Sequence, residues 1–181
     1  MIISLTGFMG CGKSSVGREL SRLLCCPFTD LDDVIAEKAG RSIPEIFVSE
    51  GEAAFRQMEY ASLKQILNIQ ETQQVLALGG GTVMTEECAE MVHDNTLCIY
   101  LRASVETLLE HLAGEAEGRP MLSEGCHSER PKGDEESALR SRIEDLMARR
   151  AATYEKTAHV IIDTDGKSIG NICNEIIKAI S

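Results

Sequence analysis

Gly7-Phe8-Met9-Gly10-Cys11-Gly12-Lys13-Ser14 fills every fixed position of the pattern G-x-x-x-x-G-K-[ST]. It stands between a short apolar run, Ile2-Ile3-Ser4-Leu5-Thr6, that reads as a buried strand, and a stretch from Val16 to Leu24 that reads as a helix. The chemistry needs that arrangement. Glycines let backbone N–H groups turn inward around phosphate oxygens, and the helix N-terminus adds its positive end. Lys13 brings a point charge to the β- and γ-phosphates, and Ser14 offers a hydroxyl to Mg²⁺. A chance glycine-rich turn is a poor explanation when strand, helix and all fixed positions coincide. Cys11 fills a variable position and is assigned no redox role.

Outward from this loop, short β-branched runs alternate with amphipathic stretches. Phe28 to Leu31, Val75 to Leu78, Leu97 to Leu101 and Val160 to Ile162 read as further strands. Continuous apolar strands separated by helices imply a three-layer α/β fold, a parallel sheet covered on both faces. The last helix has Ser168 as its N-cap and Ile169, Ile172, Cys173, Ile176, Ile177 and Ile180 on one stripe. Gly114 to Glu136 departs from this pattern: two prolines, three further glycines, and seven acids against three bases. It reads as a long loop or lid within a single domain spanning 1–181.

The 181 residues carry 18 Lys+Arg against 29 Asp+Glu, a net charge of −11. That balance argues against general nucleic-acid binding, which needs a surplus of cations. No apolar run reaches the ~20 residues of a membrane span, and the first strand is too short for a signal-peptide core. Seven cysteines without a C-x-x-C fit reduced thiols in the cytoplasm better than a disulfide scaffold. The four histidines show no zinc spacing.

Several polar residues stand out. Asp30 and Asp32, two apart in Asp30-Leu31-Asp32-Asp33, point the same way in extended backbone. They suit a metal's shell and an attacking hydroxyl, or equally the capping of a helix. Arg56 has Glu59 three residues on, and spacing alone favours a surface ion pair. Arg150 shares a helical stripe, from about Ser137 to Tyr154, with Leu139, Ile143, Leu146, Met147 and Tyr154. A charge there is costly unless it binds an anion or snorkels to solvent. Gly79-Gly80-Gly81 ends a buried strand, where ligands of open α/β sheets bind. The GTPase pattern N-K-x-D is absent, and the chain is short for a motor ATPase. A small kinase acting on a metabolite or nucleotide remains.

The ordered set of Gly7–Ser14, Asp30-Leu31-Asp32, Gly51-Glu52 with Phe55-Arg56 and Glu59, Leu78-Gly79-Gly80-Gly81, Gly118-Arg119-Pro120, and Arg149-Arg150 before Tyr154 resembles shikimate kinase. The resemblance covers essentially the whole chain. It implies a five-stranded parallel sheet in the order 2-3-1-4-5, and transfer of the ATP γ-phosphoryl group to the 3-hydroxyl of shikimate in chorismate synthesis. By position, Gly10, Cys11, Gly12, Lys13, Ser14 and Ser15 would hold the nucleotide. Ser14 and Asp30 would hold Mg²⁺, and Asp32 would meet the accepting hydroxyl. Arg56 and Arg150 would take the shikimate carboxylate, with Gly80 and Gly81 adding backbone contacts and Phe47 and Phe55 flanking the ring. Arg119 would reach the phosphates from the lid. A monomer with ATP and shikimate as its partners is implied, with no nucleic acid or membrane. The chain departs from the family in a longer stretch between Arg119 and Arg149. It also has Leu112 and Gly166-Lys167 where adenine-contacting arginines are usual. The competing readings are a gluconate- or nucleotide-type kinase of the same fold and a non-catalytic ATP-binding module.

Overall fold

The structure, a computed structural model, describes residues 1–69, 73–112 and 132–180, with side chains in the last segment from 136 onward. Arg119 and most of the expected lid, 114–131, lie outside the described residues. Five strands form one sheet: β1 (Ile2–Thr6), β2 (Phe28–Asp30), β3 (Gln74–Ala77), β4 (Leu97–Arg102) and β5 (Val160–Asp163). Their order is β2-β3-β1-β4-β5, and every pairing is parallel, as the resemblance implies. All five residues of β1 are buried, which suits the central strand of a sheet covered on both faces. Strand order reverses beside β1, between β3 and β4. Its carboxyl end is therefore the place where an open α/β sheet leaves a crevice.

Helices α1 (Lys13–Leu23), α2 (Leu31–Ala39), α3 (Ile43–Asn68), α4 (Glu86–Asn95), α5 (Val105–Leu112), α6 (Lys132–Thr157) and α7 (Ile169–Ile180) connect and cover the strands. Ser42 and Glu45 form a reciprocal capping box at the start of α3. Midway through α3, Gly51 adopts φ 82°, ψ 173° and kinks it. Only glycine holds that conformation cheaply. In α7 the stripe buries Ile172, Cys173 and Ile176, while Ser168 caps the first turn through Asn171 N–H at 3.3 Å. Ile169 is 43% exposed, because the first turn of α7 reaches past the sheet to the rim of the cleft.

Two boundaries differ from the sequence reading. α6 begins at Lys132, so the last five residues of the expected lid are helix. Leu31 opens α2 rather than closing β2, because the Asp30 side chain accepts the Asp32 N–H at 3.1 Å and turns the chain.

The imidazoles of His93 and His159 stack with centroids 4.4 Å apart, joining the end of α4 to the start of β5. His159 Nδ1 accepts the Cys98 N–H at 3.0 Å, so that nitrogen carries no proton. Burial, and then His93, hold the His159 pKa below its ordinary value. A histidine with a lowered folded pKa binds protons more readily when unfolded. Its contribution to stability is therefore lost as pH falls through the unfolded value of about 6.5. His159→Asn keeps an acceptor near the Nδ1 position but cannot titrate. The fall in Tm between about pH 7.5 and about pH 5 should be shallower in this variant, by a small margin since the ring is exposed. Parallel slopes would exclude the histidine from the acid sensitivity.

Candidate active site

The loop after β1 closes on itself before α1 begins. Gly12 is the N-cap of α1 at φ 92°, a left-handed conformation, and leaves the helix's first N–H groups facing the crevice. The Lys13 ammonium folds back over the loop, donating to the carbonyls of Gly7 at 2.9 Å and Phe8 at 3.0 Å. The Cys11 thiol is buried beside it, 3.9 Å from Nζ. A basic group is thus held at the mouth of a ring of backbone donors, the arrangement that binds phosphate.

Across the crevice stands an acidic corner. Ser14 Oγ donates to Asp30 Oδ2 at 2.6 Å, so hydroxyl and carboxylate share one point in space. Asp30 also caps α2, so capping and site geometry are one feature. Asp32 lies in the first turn of that helix and not in extended backbone, contrary to the two-apart strand argument. The side chains still face the same cleft, because the cap turns the chain between them. Burial, then the neighbouring Asp30 charge, push the Asp32 pKa up to about 6; Glu59 and Asp33 add to this and Lys13 opposes it. A carboxyl poised near neutrality in a cleft is suited to accept a proton.

The two arginines converge on the glycine triplet, which lies against the phosphate loop: a Cβ on Gly80 would stand 3.2 Å from the Met9 nitrogen. Arg56 is not the surface pair that spacing favours. Its side chain is 21% exposed, and its Nη1 donates at 2.7 Å to Glu59, which is 1% exposed. Its second arm reaches the exposed Glu52 at 3.2 Å. Arg150 is 7% exposed and directs Nη1 at the Gly80 carbonyl, 3.4 Å away, over the Phe8 ring. It does not snorkel. The Tyr154 hydroxyl donates to the same carbonyl at 2.5 Å and its ring stacks on Tyr100. Phe47 and Phe55 pack 4.7 Å apart on the adjoining wall. Nothing in the sequence signalled the Tyr154–Gly80 contact, whose partners stand 74 residues apart.

All the expected site residues among those described line this one cleft: Gly10, Cys11, Gly12, Lys13, Ser14, Ser15, Asp30, Asp32, Arg56, Gly80, Gly81 and Arg150. His111 was not foreseen. Its Nδ1 lies 2.7 Å from the Gly10 carbonyl, so that nitrogen carries the hydrogen, and the last turn of α5 is tied to the phosphate loop. Thr164, Lys167 and Ile169 complete that end of the cleft.

Anion-binding backbone, two inward-facing guanidinium groups and an ionisable carboxyl in one cleft describe a small phosphate-loop kinase, which moves a phosphoryl group between two bound molecules. The family profile for shikimate kinase matches residues 9–181, and the chain belongs to that family. The shikimate kinase of Thermus thermophilus is 40% identical over 176 residues, covering 97% of this chain and 88% of that one. That of Dictyoglomus turgidum is 35% identical over 178 residues, covering 97% and 95%. The solved structure of shikimate kinase from Acinetobacter baumannii in complex with shikimate superposes with a TM-score of 0.85 at 32% identity, covering 99% of this chain and 92% of that one.

Proposed function

We propose that this protein transfers the γ-phosphoryl group of ATP to the 3-hydroxyl of shikimate, giving shikimate 3-phosphate and ADP. The observation that carries this reading is the meeting of Lys13, Asp32, Arg56 and Arg150 in one cleft of a shikimate kinase family chain. The cleft encloses about 960 Å³, at the upper end for small-molecule sites and enough for two ligands side by side. The loop from Gly10 to Ser15 binds the phosphates, and Lys13 offsets the charge that spreads over the transferring group. Asp32 orients the acceptor hydroxyl and takes its proton as the new P–O bond forms. Arg56 and Arg150 grip the acceptor carboxylate, and Gly80 and Gly81 bring backbone against it. Arg119, assigned to the phosphates by family resemblance, lies outside the described residues.

Mg²⁺ fits the donor set. Magnesium is usually held by one or two carboxylates together with substrate phosphates, not by an all-protein cage. The Ser14 hydroxyl beside the Asp30 carboxylate is such a pair. Among the described residues there is no cluster of three or more acidic, cysteine or histidine ligands. When bound, the ion would neutralise phosphate charge.

The enzyme works as a monomer in the cytoplasm on this reading. The described cysteines are free, and no helix among the described residues is long and apolar enough to cross a membrane.

The test is ADP release measured with shikimate, gluconate, nucleoside monophosphates or no acceptor. Shikimate alone should support turnover; turnover with another acceptor, or none at all, would overturn the reading. Arg56→Lys and Arg150→Lys keep the charge but lose the planar fork. A charge-assisted hydrogen bond is worth roughly 1.5–3 kcal/mol, so each should weaken shikimate binding about ten-fold or more. ATP affinity without shikimate should stay at the parental value.

A further inference from the structure

Behind Arg56 lies a second layer of polar contacts, in which Glu59 borders the cleft and Thr82 stands behind it, outside the cleft lining. Glu59 is buried, and its two carboxylate oxygens have different partners. Oε2 accepts from Arg56 Nη1 at 2.7 Å, and Oε1 accepts from the Thr82 hydroxyl at 2.6 Å. Thr82 is fully buried in the 3₁₀ turn Thr82–Met84 that follows the glycine triplet. Its backbone N–H is already satisfied by the Gly79 carbonyl at 3.2 Å, so the turn does not need the hydroxyl. The glycines make room for this layer. A Cβ on Gly79 would lie 2.8 Å from Asp32 Oδ1, 3.0 Å from Glu59 Oε1 and 3.0 Å from Thr82 Oγ1. A Cβ on Gly81 would lie 2.6 Å from Arg56 Nη2.

We infer that Thr82 is a positioning residue for the acceptor: its hydroxyl fixes the rotation of the Glu59 carboxylate, which in turn aims the Arg56 guanidinium. The geometry gives the reason. A carboxylate with one oxygen on an arginine can still turn about its own axis, and the arginine fork turns with it. A short hydrogen bond to the other oxygen removes that freedom. A buried carboxylate oxygen left without a donor is costly and seeks another partner. Here the alternatives would draw Glu59 away from Arg56, or draw Arg56 across both oxygens and away from the cleft. Thr82 therefore acts on substrate affinity without touching substrate.

The inference rests on the proposed shikimate reading, and the experiment separates the two. Steady-state kinetics for ATP and shikimate are compared in the parent, Thr82→Val and Thr82→Ser. Valine matches threonine in shape but cannot donate; serine restores the hydroxyl. Thr82→Val should raise KM for shikimate about three- to ten-fold, less than the ten-fold or more of a lost direct charged contact, because the hydroxyl acts on the acceptor only through Glu59 and Arg56. KM for ATP and kcat should stay near parental, and Thr82→Ser should recover most of the shikimate affinity. A merely structural role would move both KM values together, and that result would overturn the inference. So would a parental shikimate KM in the valine variant, or a serine variant no better than valine. Melting curves of both variants accompany the kinetics. A valine variant that fails to fold leaves the serine variant as the test, and a shikimate KM there as high as that of Arg56→Lys would overturn the inference. In each of these cases the parent still turns over shikimate, so the functional reading stands. A parent inactive on shikimate would overturn both.

Discussion

Asp32→Asn is expected to cost roughly 10²–10⁴-fold in kcat and yet to leave the unliganded protein more stable than the parent at neutral pH. Both effects follow from one observation, the lift of the Asp32 pKa from 3.8 to about 6 by burial and by the Asp30 charge. The raised value makes the carboxylate a better base. The amide cannot accept the proton at all, while ATP binding, assigned by the proposed function to the loop from Gly10 to Ser15, should persist. A carboxyl whose folded pKa exceeds its unfolded one favours the fold while it is protonated, and that contribution is lost as pH rises from about 4 to about 6. At pH 7 the parent therefore carries a buried charge at a cost on the order of 3 kcal/mol, which the amide avoids. Melting curves without nucleotide or Mg²⁺ should show Asp32→Asn above the parent at pH 7, with the gap closing towards pH 4. The parent's activity should fall through an acid limb near pH 6. An equal Tm at pH 7 would mean that the corner tolerates the charge, and normal kcat would exclude Asp32 as the base.

That dependence on burial explains what was legible in the sequence and what was not. The phosphate loop could be read because its chemistry is local: Lys13, Ser14 and their glycines act through neighbours in the chain. The strands could be read because a parallel sheet covered on both faces needs unbroken apolar runs, and β1, β3 and β4 have them. Arg150 could be flagged because a charge on an apolar stripe breaks the helical pattern. Arg56 was marked only by the family resemblance, because i,i+3 spacing with Glu59 does not say which side of the helix the pair faces. Glu59 is recognisable as buried only through Thr82, which reaches it from the turn after β3. The Asp30–Leu31–Asp32 stretch shows the reverse failure. Asp30 and Asp32 both line the cleft, but by a helix cap at Asp30 and not by the extended backbone that the two-apart spacing suggests. His111 carried no signal, because its partner is a backbone carbonyl of the distant loop.

Lys13→Ala should lower turnover by about 10³-fold, comparable to losing a preorganised electrostatic contact to a reacting group. The ammonium is held over the loop by the Gly7 and Phe8 carbonyls, so it meets incoming phosphate without reorganising. Lys13→Arg should not rescue the loss. A broad planar guanidinium cannot occupy the place of a compact ammonium inside a closed loop. The fold should survive, because the core next to the loop rests on β1 and on Val16 and Leu20 of α1, none of which needs the lysine. A second readout separates an electrostatic role from a structural one. Lys13 is the group that opposes the upward shift of Asp32, so removing it should drive the Asp32 titration above the parental value of about 6. NMR titration of the Asp32 carboxyl in Lys13→Ala would register that rise. If turnover collapsed while the Asp32 midpoint stayed where it is in the parent, the lysine would be acting by shaping the loop and not by its charge. If turnover itself survived, the kinase reading of the cleft would fail. On the proposed reading this single charge would couple the nucleotide and acceptor parts of the site: Lys13, placed for the phosphates, opposes the rise of the Asp32 pKa and so favours an ionised carboxylate at neutral pH.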